Sequence, residues 1–258
     1  MGKKIAIYGA GTIGACQATL TSGNGYSTVV IGHSEEGLSR CRNTMLQNWN
    51  DLIAQKLATA ANRRAAMDLV TITNDVSALR DCDIVFEAVS EDVNIKQRVY
   101  SIITEVCGRD IIVVSTTSSI DAAILAEKNE NPARFLIAHP FQPVHMLPLV
   151  EVVRHTETSE ETLNQVCTLL KDLNRQVVML NRSVPGFLVN RFAQALFRES
   201  IYLIEQGITT AADIDRAIKY AVGMRYASIG LLEYYDAVGF ELERAIALNV
   251  YPDLCDTK

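Results

Sequence analysis

Residues 5–14 read I-A-I-Y-G-A-G-T-I-G. Ile5–Tyr8 is a continuously apolar run with the pattern of a buried strand, and Gly9, Gly11 and Gly14 follow it in G-x-G-x-x-G spacing. Gly9 permits a tight turn out of the strand. Gly11 lets a phosphate approach the backbone, and Gly14 lets the next helix close on the sheet. Ala10, Thr12 and Ile13 complete the loop, and Thr12–Ser22 continues with apolar helical periodicity. The start of that helix offers free N–H groups and a positive dipole end to an anion. Glycines alone would equally serve a plain turn. The strand before them and the periodic helix after them point instead to a pyrophosphate-binding turn, and hence to a dinucleotide site opening a βαβ unit. Lys3 and Lys4 before the apolar run imitate a secretion signal, but the glycine pattern accounts for the same residues.

Outward from this loop, short β-branched runs recur at Thr28–Ile31, Leu69–Thr73, Ile84–Glu87, Ile111–Ser115, Phe135–Ala138, Leu149–Val153 and Gln176–Met179. Helical patterns alternate with them: Glu35 to about Asp68, Val93–Val106, Ala122–Glu127 and Glu160–Leu173. Such alternation predicts a doubly wound α/β domain with a parallel sheet covered on both faces. The stretch 35–68 exceeds an ordinary crossover and reads either as a protruding helical hairpin with its turn near Ala58–Asn62 or as a solvated crossover that merely runs long. After Met179 strand runs cease. Ser183-Val184-Pro185-Gly186 signals a helix start, and helical patterns follow at Phe187–Glu205, Ala211–Ala221 and Leu231–Asn249. The expected division is residues 1–182, dinucleotide-binding, and 183–258, all-helical.

The chain of 258 residues carries a net charge of −6 with 48% hydrophobic and 21% charged residues, which excludes a disordered chain. The absence of a basic block argues against nucleic acid and anionic membranes as partners. No apolar run approaches the roughly 18 residues a membrane helix needs. The six cysteines are scattered without a C-x-x-C pair, which predicts reduced thiols in a cytoplasmic protein and no metal centre.

A dinucleotide site of this kind often places an acid about 20 residues after the glycines, to hold the ribose 2′-hydroxyl of NAD. Here the second strand ends in Gly32, followed by His33 and Ser34. Gly32 would leave room for a 2′-phosphate, Ser34 would donate to it, and Arg40 or Arg42 would supply charge, although Glu35 and Glu36 oppose it. The balance leans to NADP over NAD.

Four later segments bring polar residues to strand ends: S-T-T-S-S-I (115–120), A-H-P-F-Q-P (138–143), P-L-V-E-V-V (148–153) and V-P-G-F-L-V-N-R (184–191). Each residue has a bland reading: Ser118 as a helix cap, Asn190 as a turn hydrogen bonder, Glu151 as a strand carboxylate, His139 as structural. Taken together they resemble the 3-hydroxyacyl-CoA dehydrogenase family, over the whole chain. That family joins an N-terminal Rossmann domain to a helical C-terminal dimerisation domain and oxidises L-3-hydroxyacyl substrates to the 3-keto form. The resemblance implies His139 as general acid/base, Glu151 as the carboxylate that orients it, and Ser118 and Asn190 on the substrate oxygen. It also implies Glu91 and Lys96, in E-A-V-S-E-D-V-N-I-K (87–96), as cofactor contacts, Gln142 as a further one, and a homodimer. His145 and His155 match nothing and read as structural or solvated. The chemistry agrees: hydride loss from a secondary alcohol needs a base, and imidazole paired with a carboxylate supplies one.

Some residues depart from the family's pattern. Pro140 and Gln142 replace the usual F-N, and Thr116 an Asn. The proline spacing after His139 and G-M-R-Y-A-S-I-G (223–230) look more like the L-gulonate dehydrogenase/lambda-crystallin and carnitine dehydrogenase branch, which acts on free 3-hydroxy acids. Y-D-A-V-G-F (235–240) looks more like the CoA branch. The hairpin keeps only Gln55-Lys56 where CoA-binding members carry a basic run, and the closing G-K-x-G…G-F-Y segment of many relatives is absent, so a truncated or altered end after Lys258 is expected. An acyl-CoA such as 3-hydroxybutyryl-CoA is the leading substrate. A free acid such as L-gulonate or carnitine, clamped by Arg225, is the alternative. A non-catalytic NAD(P)-binding protein is a third reading, which the joint retention of Ser118, His139, Glu151 and Asn190 opposes.

Overall fold

The computed structural model describes residues 3–256. The chain divides into two compact units, residues 1–188 and 189–258. The first is built on one eight-stranded sheet. β1 (Lys4–Tyr8) lies inside it, flanked on one side by β2 (Ser27–Ile31) and β3 (Val70–Thr73). On the other side follow β4 (Ile84–Glu87), β5 (Ile112–Ser115), β6 (Phe135–Pro140), β7 (Leu149–Arg154) and β8 (Gln176–Leu180). These strands lie within two residues of the apolar runs in the sequence. The continuous apolar character has a direct cause, because alternate residues of one strand enter two cores. Ile5 and Ile7 pack with Met45 and Val166 on one face, and Ala6 packs with Val99, Tyr100 and Leu125 on the other.

Strands β1 to β6 pair in parallel, but β7 runs antiparallel to β6, and β8 follows β7. Only residues 141–148 join β6 to β7. A parallel crossover needs about a dozen residues or more, so this connection can only reverse the chain.

The helices of this unit are α1 (Thr12–Gly23), α2 (Glu35–Ala54), α3 (Ala60–Asp68), α4 (Val93–Cys107), α5 (Ala122–Ala126) and α6 (Glu160–Asp172). The expected hairpin is present as α2 and α3, but it does not simply protrude: both helices pack against α1. Its turn also comes earlier than expected, over residues 55–59. Lys56 takes a left-handed conformation (φ 60°). Thr59 then caps α3 reciprocally with Asn62, its Oγ1 accepting the Asn62 N–H (3.2 Å) and Asn62 Oδ1 accepting the Thr59 N–H (2.9 Å).

The first unit ends six residues beyond Arg182, because Phe187 is 1% exposed and belongs to its core. The second unit holds α7 (Val189–Glu205), α8 (Ala211–Ala217), a π-helical turn at Ile218–Val222, α9 (Gly223–Tyr226), α10 (Leu231–Val238) and α11 (Phe240–Val250). The single helix expected over Leu231–Asn249 is broken at Gly239, whose φ of +95° a side-chain-bearing residue rarely adopts. No residue of α7 to α11 is buried, and Phe197, Leu232 and Leu248 are more than half exposed. Among the described residues no helix is long and apolar enough to cross a membrane.

Candidate active site

The spacing of His139 and Glu151 acquires a structural meaning in the β6–β7 ladder, where the two residues face each other directly in register. His139 Nδ1 lies 2.9 Å from Glu151 Oε2. The histidine is 7% exposed and the glutamate fully buried. The other carboxylate oxygen accepts the Leu188 N–H (2.9 Å), so a backbone donor fixes the glutamate as well. Phe141 and Phe187 pack on the imidazole with ring centroids at 4.7 and 5.6 Å. A buried carboxylate on Nδ1 sets the tautomer, with the proton on Nδ1 and Nε2 left basic.

Ser118 lies exposed, three residues beyond the end of β5, on a loop held by Glu91. Glu91 Oε1 accepts from the Ser118 N–H (3.1 Å), the Ser119 hydroxyl (2.9 Å) and the Thr117 hydroxyl. Burial opposes the charge on Glu91, but the Thr117 hydroxyl, the Lys96 ammonium and the Ser119 hydroxyl outweigh it and hold the carboxyl below the usual carboxylate range. Lys96 is 1% exposed, with Nζ 2.8 Å from Glu87 Oε1 and 3.3 Å from Glu91 Oε2. Asn190 occupies the first turn of α7, in the second unit.

The glycine loop forms the cradle its spacing predicts. A Cβ on Gly9 would lie 2.3 Å from the Ala88 carbonyl oxygen, and one on Gly14 would lie 1.8 Å from that of Gly9. Gly11 opens onto space, with nothing within 4 Å of its Cβ position, and no side chain caps α1. The loop borders a cavity of about 300 Å³ that Gly9, Ala10, Gly11 and Thr12 share with His33, Arg40 and residues 88–90. A dinucleotide phosphate fits such a cradle, since the α1 terminus that no side chain caps begins at the open Gly11 position. Ile13, Gly14, Gly32, Ser34, Glu91, Lys96 and Gln142 do not line this cavity.

Two expectations at its far end need correction. Gly32 is buried, and a Cβ there would meet Leu38 Cδ2 at 2.5 Å and Ala10 Cβ at 2.8 Å, so those side chains already take the space expected for a phosphate. The Ser34 hydroxyl caps α2 by accepting the Gly37 N–H (3.2 Å). His33 and Arg40 line the cavity instead, and Arg40 also pairs with Glu36.

In the second unit the Arg225 guanidinium stacks over the Tyr234 ring (4.3 Å to the centroid), beside a cavity of about 350 Å³. Among the described residues no salt bridge to Arg225 is formed. Among the described residues no cluster of three or more His, Cys, Asp and Glu suits a metal ion, and all six cysteines are unpaired.

A doubly wound sheet with a dinucleotide cradle and a buried His–Glu pair at the strand ends, followed by a helical unit, defines a nicotinamide-dependent dehydrogenase. The signature of the 3-hydroxyacyl-CoA dehydrogenase NAD binding domain matches residues 4–183, and that of the 3-hydroxyacyl-CoA dehydrogenase C-terminal domain matches residues 186–257. The chain belongs to the 3-hydroxyacyl-CoA dehydrogenase family and is an NAD(P)-binding oxidoreductase. It is 32% identical to an L-carnitine dehydrogenase of Bacillus cereus over 229 residues, 88% of this chain and 69% of that protein. It is 29% identical to a 3-hydroxybutyryl-CoA dehydrogenase of Clostridioides difficile over 255 residues, 99% and 89% of the two chains. The crystal structure of 5-formyl-3-hydroxy-2-methylpyridine 4-carboxylic acid 5-dehydrogenase, an NAD+-dependent dismutase, matches with a TM-score of 0.91 at 29% identity, covering 100% of this chain and 83% of that one.

Proposed function

We propose that this protein interconverts an L-3-hydroxyacyl-CoA, such as 3-hydroxybutyryl-CoA, and its 3-ketoacyl form, with His139 as the general base. The observation that carries this reading is the His139–Glu151 contact of 2.9 Å between two buried side chains. Glu151 accepts the Nδ1 proton, and Nε2 takes the proton of the substrate hydroxyl. The imidazolium that results is stabilised by the same carboxylate, which is itself anchored by the Leu188 N–H. Ser118 and Asn190 donate to the substrate oxygen as charge develops on it. A dinucleotide whose pyrophosphate the cradle of Gly9, Gly11 and Gly14 would hold would supply the hydride acceptor. In the reductive direction His139 returns its proton to the alkoxide. An absorbance assay of nicotinamide turnover with acetoacetyl-CoA, L-carnitine and L-gulonate, each with both dinucleotides, tests the reading. Inactivity on all three would overturn it.

The dinucleotide is proposed to be NADP in preference to NAD, because His33 and Arg40 line the cavity and no carboxylate does. Gly32→Asp would have to displace Leu38 and is a poor probe. Arg40→Ala is the better one: it is expected to lower kcat/KM for NADP about 10-fold and leave NAD within about two-fold. Equal changes would remove Arg40 from the 2′-phosphate.

A second reading, a free 3-hydroxy acid as substrate, is favoured by Arg225, which stacks on Tyr234 without a carboxylate partner among the described residues. On this reading Arg225→Met raises KM for L-carnitine or L-gulonate by about 10-fold or more and spares a hydroxyacyl-CoA. Equal losses on both substrates, or a lower melting temperature alone, would make Arg225 structural. The exposed apolar side chains of α7 to α11 support a homodimer through the second unit, and the unpaired cysteines support a cytoplasmic enzyme.

A further inference from the structure

Glu87, the last residue of β4, has no part in the reaction proposed above, yet it is a buried carboxylate with both oxygens engaged. It is 0% exposed and receives four donors. Oε1 accepts from the Val89 N–H (2.8 Å) and Lys96 Nζ (2.8 Å), and Oε2 accepts from the Tyr100 hydroxyl (2.9 Å) and the Ser115 hydroxyl (2.8 Å). Burial, and then the Glu87 charge, push the Tyr100 phenol up, so it remains a donor. A buried ion pair is commonly no more stabilising than apolar side chains of the same volume. Stability is therefore a weak reason for this arrangement, and its geometry offers a better one. The four donors come from the backbone of residues 87–90, from α4 and from the end of β5. Two of these segments border the site: residues 88–90 line the dinucleotide cavity, and β5 runs directly into the Ser118 loop. Lys96 then passes the connection on to Glu91, which holds the Ser118 N–H.

We propose that Glu87 is a positioning residue that fixes the Ser118 loop through Lys96 and Glu91. The inference rests on the role proposed for Ser118, and a double-mutant cycle in kcat separates the two. Ser118→Ala is expected to lower kcat. Glu87→Gln, which keeps the shape and removes the charge, is expected to lower kcat about 10-fold in the wild-type background and less than about two-fold in the Ser118→Ala background, because the loop it holds then has nothing to position. A role in stability alone would cost the same factor in both backgrounds, and that additivity would overturn the inference while leaving the Ser118 assignment intact. An unchanged kcat in Ser118→Ala would overturn the Ser118 assignment and this inference together. If Glu87→Gln yields no folded protein, Tyr100→Phe removes one donor without altering any charge. It is expected to show the same background dependence with a loss of about three-fold, and additivity there is equally decisive against the inference.

Discussion

Replacing His139 with alanine is expected to lower kcat by about 10²–10⁴-fold while dinucleotide affinity stays within a few-fold. The imidazole has its orientation fixed by a buried carboxylate, and it lies at the end of β6, outside the cavity that the glycine loop borders. Removing it strips the hydroxyl proton of its acceptor without touching the phosphate cradle. The substitution also leaves Glu151 Oε2 buried without the imidazole, which costs about 1–3 kcal/mol of stability. The assay therefore runs well below the melting temperature of the variant, with reduced-dinucleotide fluorescence titrated in parallel. An unchanged kcat would sink the mechanism. A collapse of dinucleotide binding would show that His139 holds the cofactor instead.

The second large effect separates two glycines only three residues apart. Gly14→Ala places a methyl 1.8 Å from the Gly9 carbonyl oxygen, which is backbone and cannot step aside without opening the turn. The expected destabilisation is about 3 kcal/mol or more, and about 6–12 °C in melting temperature. Gly11→Ala meets nothing within 4 Å and has an ordinary extended backbone (φ −81°). Its melting temperature should stay within about 1 °C, while its methyl fills the approach to the α1 amides and weakens the dinucleotide about 10-fold or more. Thermal unfolding and fluorescence titration of both variants check the contrast. A Gly11→Ala variant that binds the dinucleotide normally would place the phosphates elsewhere.

Much of this was legible in the residues because burial leaves a continuous trace. Each strand of the sheet coincides with a run rich in apolar β-branched residues, and the glycine loop is spelled out by the backbone crowding at Gly9 and Gly14 and the open approach at Gly11. The reversal at β7 was less visible, since Leu149–Arg154 shows the same apolar run in either direction. Its signal was the short connection 141–148, with Pro143 and Pro148, which leaves no room for a crossover helix. The break at Gly239 was hidden because apolar periodicity continues on both sides of it. The room assigned to Gly32 was misjudged, because Leu38 and Ala10 reach that point through packing that no local pattern records. Lys96 and Glu91 fall on cofactor-contacting positions of the family pattern. The link from Glu87 through Lys96 went unseen, although a glutamate closing the run I-V-F-E was itself a hint that a buried carboxylate awaited a partner.

The antiparallel pairing of β6 with β7 bears on how such an enzyme can diversify. Because His139 and Glu151 meet across neighbouring strands, the pair proposed to handle the proton is encoded in one short contiguous segment and stays matched while the ladder keeps its register. A slip of one residue would turn Glu151 to the opposite face of the sheet and abolish the pair. Apart from Phe141, which packs on the imidazole, and Val144, which enters the core, the connection 141–148 between them is under no such constraint. Descendants can rewrite that connection, and with it the shape presented to a new substrate, while inheriting the acid–base chemistry as a single block.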